Sequence, residues 1–219
     1  MRGAASGDSD AMAISLPADQ VIAGGNHYPK YTARNPIVRR LVDGFLGALA
    51  DLARRSGARD VHEIGCGEGF LSTMLAQGGF SVRGSDLSPA AVAIARRRAA
   101  DLGLPITFRV ADLNELTPAT DGAELVVCCE VLEHLTDPAG ALGILARLAQ
   151  PHLIVSVPRE PLWRMLNMAR CRYWRALGNT PGHLQHWSAS SFLALLEAHV
   201  EVREVRTPLP WTMALCRRR

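Results

Sequence analysis

One junction constrains this chain more than any other. Asp60–Ile64 (DVHEI) has the character of a short strand, and it runs directly into Gly65-Cys66-Gly67-Glu68-Gly69. Phe70–Gln77 then reads as a helix closed by Gly78-Gly79. Glycine adopts positive φ without steric penalty and leaves no Cβ between the backbone amides and a ligand. A glycine turn that ends a strand and opens a helix is a unit of crossover architecture, in which parallel strands are joined by helices. Helix N-termini favour negative charge, and a dinucleotide fingerprint there would read GxGxxG. In this chain the third glycine comes one residue early, giving GxGxG, and Glu63 stands two residues before the first. That spacing points away from an NAD-dependent oxidoreductase.

The same alternation continues on both sides. Pro36–Ser56 carries apolar residues at helical spacing, with Asn35 as N-cap, Pro36 at the first helical position and Gly57 as the stop. Phe80–Ser85 is a second strand, Pro89–Leu102 a helix, Ile106–Ala111 a third strand and Leu125–Cys129 a fourth, of the wholly apolar kind buried on both faces. Pro138–Ala149 is a helix, Leu153–Val157 a fifth strand and Ser188–Ala198 a helix; Val200–Arg206 and Trp211–Arg217 read as two closing strands. This is an α/β pattern, an open, mostly parallel sheet covered by helices on both faces. A length of 219 residues with no repeat and no linker makes one domain, taken as residues 24–219 after a flexible tail over 1–23. Hydrophobic content of 48% excludes wholesale disorder, and no apolar run reaches the length of a bilayer span. Five cysteines without a CxxC pair, behind an N-terminus that does not read as a signal peptide, suit free thiols in the cytoplasm.

Acidic residues recur at the strand ends. Asp86 ends the second strand about 20 residues beyond Gly65, where a carboxylate accepts both ribose hydroxyls. Asp112 ends the third, within reach of an adenine amino group. A glycine turn flanked by these acids describes a pocket for an adenosine with a cationic amino-acid tail rather than for a phosphate.

Taken together, EIGCGEG, SDLSPAAVAIARRRA, VADLNEL, LVVCCEVLEHLTDP and LIVSVP resemble the class I S-adenosylmethionine-dependent methyltransferases, among them ubiquinone-biosynthesis-like small-molecule enzymes. The resemblance implies a Rossmann-like seven-stranded sheet in the order 3-2-1-4-5-7-6 with the last strand antiparallel. It implies S-adenosyl-L-methionine as cofactor and S-adenosyl-L-homocysteine (SAH) as product. Gly65, Cys66 and Gly67 would then line the methionine part, with Glu63 holding its amino group through the turn. Asp86 would take the ribose, Leu87 and Leu113 would flank the adenine, Asp112 would bind its exocyclic amine, and Glu130 would lie beside the methionine end.

Glu130-Val131-Leu132-Glu133-His134 is the most chemically loaded stretch. If it is helical, Glu130, Glu133 and His134 share one face. Three readings stay open. His134 is a general base toward a substrate hydroxyl, with Glu133 and His186 as catalytic companions. Or Glu130, Glu133 and His134 hold a metal that His183 completes, an arrangement known from RNA 2′-O-methyltransferases of the superfamily. Or the cluster is structural.

Residues 159–186 break the alternation and read as a lid-like insertion. No acidic residue occurs from Pro161 to Leu196, while Trp163 and several arginines do. Leu162, Leu166, Ala169, Tyr173 and Leu177 would form one apolar helical face covering the pocket. His27, Tyr28 and Tyr31, ahead of the first helix, join Trp163 and His183 as substrate-side candidates, and Lys30 or Arg34 could meet the cofactor carboxylate. The implied acceptor is a small or lipid-like molecule. Peripheral membrane contact fits a basic amphipathic lid, and a monomer or homodimer fits the size. A net charge of +3 without a recognition module argues against nucleic acid. A non-catalytic subunit that keeps the fold and activates a partner is the remaining alternative.

Overall fold

The structure is a computed structural model that describes Tyr31, residues 35–169, Tyr173 and residues 176–219. His27, Tyr28, Lys30, Arg34 and the expected 1–23 tail lie outside the described residues, as do Arg170, Cys171, Arg172, Trp174 and Arg175.

In chain order the elements are α1 (Pro36–Ser56), β1 (Asp60–Ile64), α2 (Phe70–Gln77), β2 (Ser81–Asp86), α3 (Pro89–Asp101), β3 (Thr107–Val110), α4 (Pro118–Asp121), β4 (Ala123–Cys129), α5 (Pro138–Leu148), β5 (Ala149–Pro158), α6 (Leu162–Ala169), α7 (Ala189–Glu197), β6 (Glu201–Arg206) and β7 (Trp211–Arg217). Single 3₁₀ turns occupy Leu113–Glu115 and Leu132–His134. Helix starts follow the local chemistry. The side chain of Asn35 accepts from the amides of Ile37 and Val38 ahead of α1, and Ser88, Asp137 and Ser188 do the same for α3, α5 and α7. Pro36, Pro89 and Pro138 stand at the first position, where no amide is needed. Gly57, at φ 72°, ends α1 with its N–H on the Arg54 carbonyl.

The seven strands form one sheet in the order β3-β2-β1-β4-β5-β7-β6. β1 to β5 are parallel, and β7 runs antiparallel to both neighbours, as the resemblance implies. β4 is central and dry over most of its length, with Leu125, Val126, Val127 and Cys128 at 0% exposure. One face packs on α5 and α7 through Leu142, Leu145, Phe192 and Leu196; the other packs on α1 and α2 through Phe45, Leu49, Leu52 and Leu75. Cys66, Cys128, Cys129 and Cys216 are buried and in no disulfide. A buried histidine on β1 is accounted for: His62 Nδ1–H donates to the Asp121 carbonyl at 2.8 Å, and Nε2 accepts from Ser85 Oγ at 3.0 Å. No helix among the described residues is long and apolar enough to cross a membrane.

Two expectations are corrected. β5 is ten residues long rather than five, because β7 pairs with it continuously from His152 to Pro158 and β4 pairs with it as far back as Ala149. The lid helix is short: α6 ends at Ala169, and Tyr173 and Leu177 sit outside it in left-handed conformations at φ 55° and 48°. Its buried residue is Asn167, whereas Ala169 and Leu177 are exposed. The apolar stripe from Leu162 to Leu177 is therefore not a helix face.

Gly84 in β2 marks a close approach. A Cβ there would stand 2.7 Å from the Phe108 ring and 3.0 Å from Cys66 Cβ, under the glycine turn. Gly84→Ala is expected to destabilise the fold by about 1–3 kcal/mol through overpacking, measurable by urea unfolding; an unchanged midpoint would contradict it.

Candidate active site

The junction after β1 folds as the alternating glycines demand. Gly65, Gly67 and Gly69 take φ of 75°, 50° and 75°, a region that side chains enter only with strain. The amides of Gly65 and Cys66 both donate to the Ser85 carbonyl, at 2.8 and 3.0 Å, which staples the turn to the end of β2. Asp86 completes the staple: Oδ2 accepts from Gly67 N–H and Oδ1 from Ser88 N–H, each at 2.8 Å. The three glycines are bare for different reasons. A Cβ on Gly65 would lie 2.3 Å from Val131 Cγ2, in the loop after β4. A Cβ on Gly69 would meet Ala95 and Phe108 at 2.9 and 3.0 Å. A Cβ on Gly67 would meet nothing within 4 Å, so Gly67 borders open space, and its positive φ alone is what favours glycine there.

Beneath the turn lies Glu63, 2% exposed, which accepts a hydrogen bond from Ser72 Oγ. Burial lifts its carboxyl to about 8, a hydrogen bond from Ser72 opposes the rise, and the nearby Asp86 charge adds to it. Tyr31 stacks on Phe70 with ring centroids 4.7 Å apart, and the Arg98 guanidinium covers the same ring at 3.5 Å. Burial, then the proximity of Cys129 and Glu63, pushes the Tyr31 phenol upward, so it is a neutral donor. Burial likewise raises the Cys66 thiol, which rules it out as a thiolate nucleophile.

A second cluster follows β4. Glu130 sits at φ 58° and sends its carboxylate to the indole of Trp211, with Trp211 Nε1–H donating to Oε1 at 2.6 Å. The next residues make a 3₁₀ turn instead of an α-helix, so Glu130 does not share a helical face with Glu133 and His134. What the turn does bring together is Glu133, His134 and His183, whose ligand atoms all lie within 4.8 Å of one another. Glu133 is 1% exposed, and its carbonyl receives the amides of Leu184 and Gln185 at 2.8 and 3.1 Å. His134 Nδ1 is 2.9 Å from the Gly182 carbonyl, which can only accept. Nδ1 therefore carries a proton, and in the neutral ring Nε2 is the nitrogen with the lone pair. Aromatic rings continue the wall: His134 and His183 meet edge-on at 5.0 Å, Trp163 stacks on His183 at 6.0 Å, and Trp163 and Trp211 lie 5.7 Å apart.

The structure thus gathers Glu63, Gly65, Cys66, Gly67, Asp86 and Glu130 at the carboxyl ends of adjacent strands, as expected of a ligand site in an open α/β sheet. Asp112 caps the 3₁₀ turn of Leu113, its Oδ1 accepting from the Asn114 amide at 2.8 Å. Leu87 is 63% exposed beside Asp86, an apolar surface at the rim of the cradle. Of the expected catalytic trio, His134 and Glu133 stand together, whereas His186 turns away and places Nε2 2.8 Å from Asn179 Oδ1. Trp211 belongs to the site although the sequence reading passed over it; its place on the last strand is set by a pairing that no local signal announces. Asn167 and Thr180 were not among the sequence candidates, and a polar residue between Leu166 and Met168 was the available hint.

Residues 61–152 match a family described as Methyltransferase domain. The ubiquinone biosynthesis O-methyltransferase of Alkalilimnicola ehrlichii is 37% identical over 139 residues, which cover 60% of this chain and 53% of that protein. That of Bordetella parapertussis is 35% identical over 107 residues, covering 48% and 44%. The chain spans about half the length of these curated relatives. Among solved structures, the magnesium protoporphyrin IX methyltransferase of Synechocystis PCC 6803 with bound SAH aligns with a TM-score of 0.66 at 22% identity, covering 85% of this chain and 89% of that one.

Glu63 gives the site a pH signature. The folded carboxyl keeps its proton up to about 8, whereas an unfolded one releases it in the ordinary glutamate range. Stability from this group is full at low pH and is lost as pH rises toward 8, by roughly 1 kcal/mol per pH unit. Glu63→Gln removes that slope. Urea unfolding across this range should show the variant gaining on wild type with rising pH; parallel profiles would refute the assignment.

Proposed function

We propose that this chain, which belongs to the class I S-adenosylmethionine-dependent methyltransferase superfamily, transfers the methyl group of S-adenosyl-L-methionine to an oxygen of a small-molecule or lipid-like acceptor and releases SAH. The residues present fit that cofactor. Gly67 leaves a cradle that a Cβ would fill, and the Asp86 carboxylate lies at its edge. Bound there, the cofactor supplies an electrophilic methyl group on a sulfonium. Asp86 would take the ribose, Asp112 with Leu87 and Leu113 the adenine, and Glu63 beneath the turn answers a cationic amine by giving up its proton. The chain's main contribution is alignment, worth roughly 7–11 kcal/mol in well-oriented reactions.

The observation that carries the reading is the contact of Val131 with Gly65. It sets the loop bearing Glu133 and His134 directly on the cofactor turn. With Nδ1–H engaged by Gly182, His134 Nε2 is the lone pair that removes the proton of an acceptor hydroxyl, typically a gain of ~10²–10⁴-fold. The aromatic wall of Trp163, Trp211 and His183 suits a flat or apolar acceptor, and the exposed Met165, Leu177 and Leu184 around the lid point the same way. Both curated relatives are named as O-methyltransferases of ubiquinone biosynthesis, which supports an oxygen acceptor.

A second reading has its own observation. Glu133, His134 and His183 form a carboxylate and two-imidazole set of the kind that holds a divalent cation. Such an ion would polarise an acceptor oxygen as a Lewis acid. Glu130, the fourth residue of that reading, is engaged by Trp211.

Two measurements test these assignments. Calorimetry with SAH should give tight binding that Asp86→Ala weakens by about tenfold or more, a loss near 1.4 kcal/mol; equal affinities would remove Asp86 from the pocket. On a panel of hydroxylated aromatic acceptors, read as SAH release, His134→Ala should lose turnover at unchanged SAH affinity. Chelator treatment of the wild type separates the readings, since activity that falls and returns with added magnesium, manganese or zinc favours the metal, and activity indifferent to chelator favours the base.

A further inference from the structure

Asn167 is the buried residue of α6, 2% exposed on an element whose neighbours are apolar. Its Nδ2 donates to the Gly178 carbonyl at 2.9 Å and to Thr180 Oγ1 at 3.1 Å. Thr180, 9% exposed, accepts a second bond on the same oxygen from Trp163 Nε1 at 2.9 Å. Both lone pairs of that hydroxyl are thereby used by donors from α6. Gly178 is pressed on the helix as well, for a Cβ there would lie 2.3 Å from the Arg164 carbonyl. From this knot the chain runs straight to the acid–histidine cluster. The Thr180 carbonyl receives the His183 amide at 3.1 Å, the Gly182 carbonyl receives His134 Nδ1–H, and the carbonyl of Glu133 holds the amides of Leu184 and Gln185.

We propose that Asn167 and Thr180 are positioning residues of the active site, holding the 178–183 loop so that the Gly182 carbonyl fixes His134 as its Nδ1–H tautomer. The proposal rests on the reading of His134 given above, but it concerns how the ring is prepared rather than what it does. An imidazole in water distributes its proton over both nitrogens; a carbonyl placed against Nδ1 selects one form. Among the described residues no backbone hydrogen bond joins the 178–183 loop to α6, and the side chains of Asn167, Trp163 and Thr180 make that connection. Trp163 shares the anchor, so its stacking on His183 is set by the same hydroxyl.

The test is tautomer-resolved ¹⁵N NMR of the histidine rings in the full chain, with chelator present and at a pH where imidazoles are neutral. Wild type should show His134 with Nδ1 protonated and Nε2 bare. Thr180→Val, nearly isosteric but without an acceptor, should turn this into a mixture of tautomers, with a several-fold loss of the Nδ1–H form. Asn167→Leu should act in the same direction, and Thr180→Ser should restore the wild-type pattern. SAH affinity by calorimetry should stay within about twofold of wild type in all three, since none touches the glycine turn. A wild-type His134 protonated on Nε2, or Thr180→Val and Asn167→Leu both keeping the Nδ1–H form, overturns the proposal. Failure of Thr180→Ser to rescue, or loss of SAH binding alongside the tautomer, reduces the role to general stability and overturns it too. Absence of SAH binding by the wild type would instead count against the proposed function, while the tautomer pattern still decides the positioning role.

Discussion

A missing side chain at Gly65 fixes the geometry of the site. The turn after β1 and the loop after β4 come from neighbouring strands, joined in parallel register from Val61 and Leu125 to Glu63 and Val127. Neighbouring strands lie about 4.8 Å apart, so the two loops emerge too close for both to carry bulk at the crossing. Gly65 yields that space and Val131 fills it. From this follow the left-handed turn, the orientation of Gly67 toward open space and the seat of the Glu133–His134 loop on the glycine turn. A larger residue at position 65 would push the glycine turn and the loop after β4 apart.

Two buried carboxyls share the floor of the cradle and are handled differently. Asp86 has both oxygens occupied by backbone amides from two elements, so it is part of the frame that joins the turn after β1 to the start of α3. Glu63 has a hydroxyl partner and no cation among the described contacts, and it remains protonated through neutral pH. Placing two charges so near each other in a dry site is expensive. Keeping one of them neutral avoids that repulsion, and in the proposed function it would link recognition of the cofactor ammonium to release of a proton.

The frame of the molecule was legible because it is written locally. α1 begins and ends where Asn35, Pro36 and Gly57 require, and β1, α2 and β7 have the bounds that composition implies. The glycine spacing and the acids at strand ends marked the cradle for the same reason. What stayed hidden depends on partners distant in sequence. The length of β5 is decided by its partners β4 and β7, and the role of Trp211 by a carboxylate that a positive φ at Glu130 aims across the sheet end. Residue spacing implied a common face for Glu130, Glu133 and His134, but a 3₁₀ turn following a left-handed residue breaks the helical register. Spacing likewise could not choose between His183 and His186, three residues apart; the loop from Gly178 to Gln185 chooses, by bonding to Glu133 and Thr180 on either side of His183.

The base and metal readings of the cluster are closer to each other than their chemistry suggests. Each needs the lone pair of His134 Nε2, and each needs Nδ1 to carry the proton, because a carbonyl holds it there. What separates them is the use of Glu133 and His183. A base requires only that they shape the ring's surroundings, whereas a cation requires that both turn a ligand atom to a common point, within the 4.8 Å their atoms already span. The loop that fixes the His134 tautomer also carries His183. Any motion of that loop therefore changes base strength in one reading and ligand count in the other. The loop from Gly178 to Gln185 is thus coupled to the chemistry in either reading.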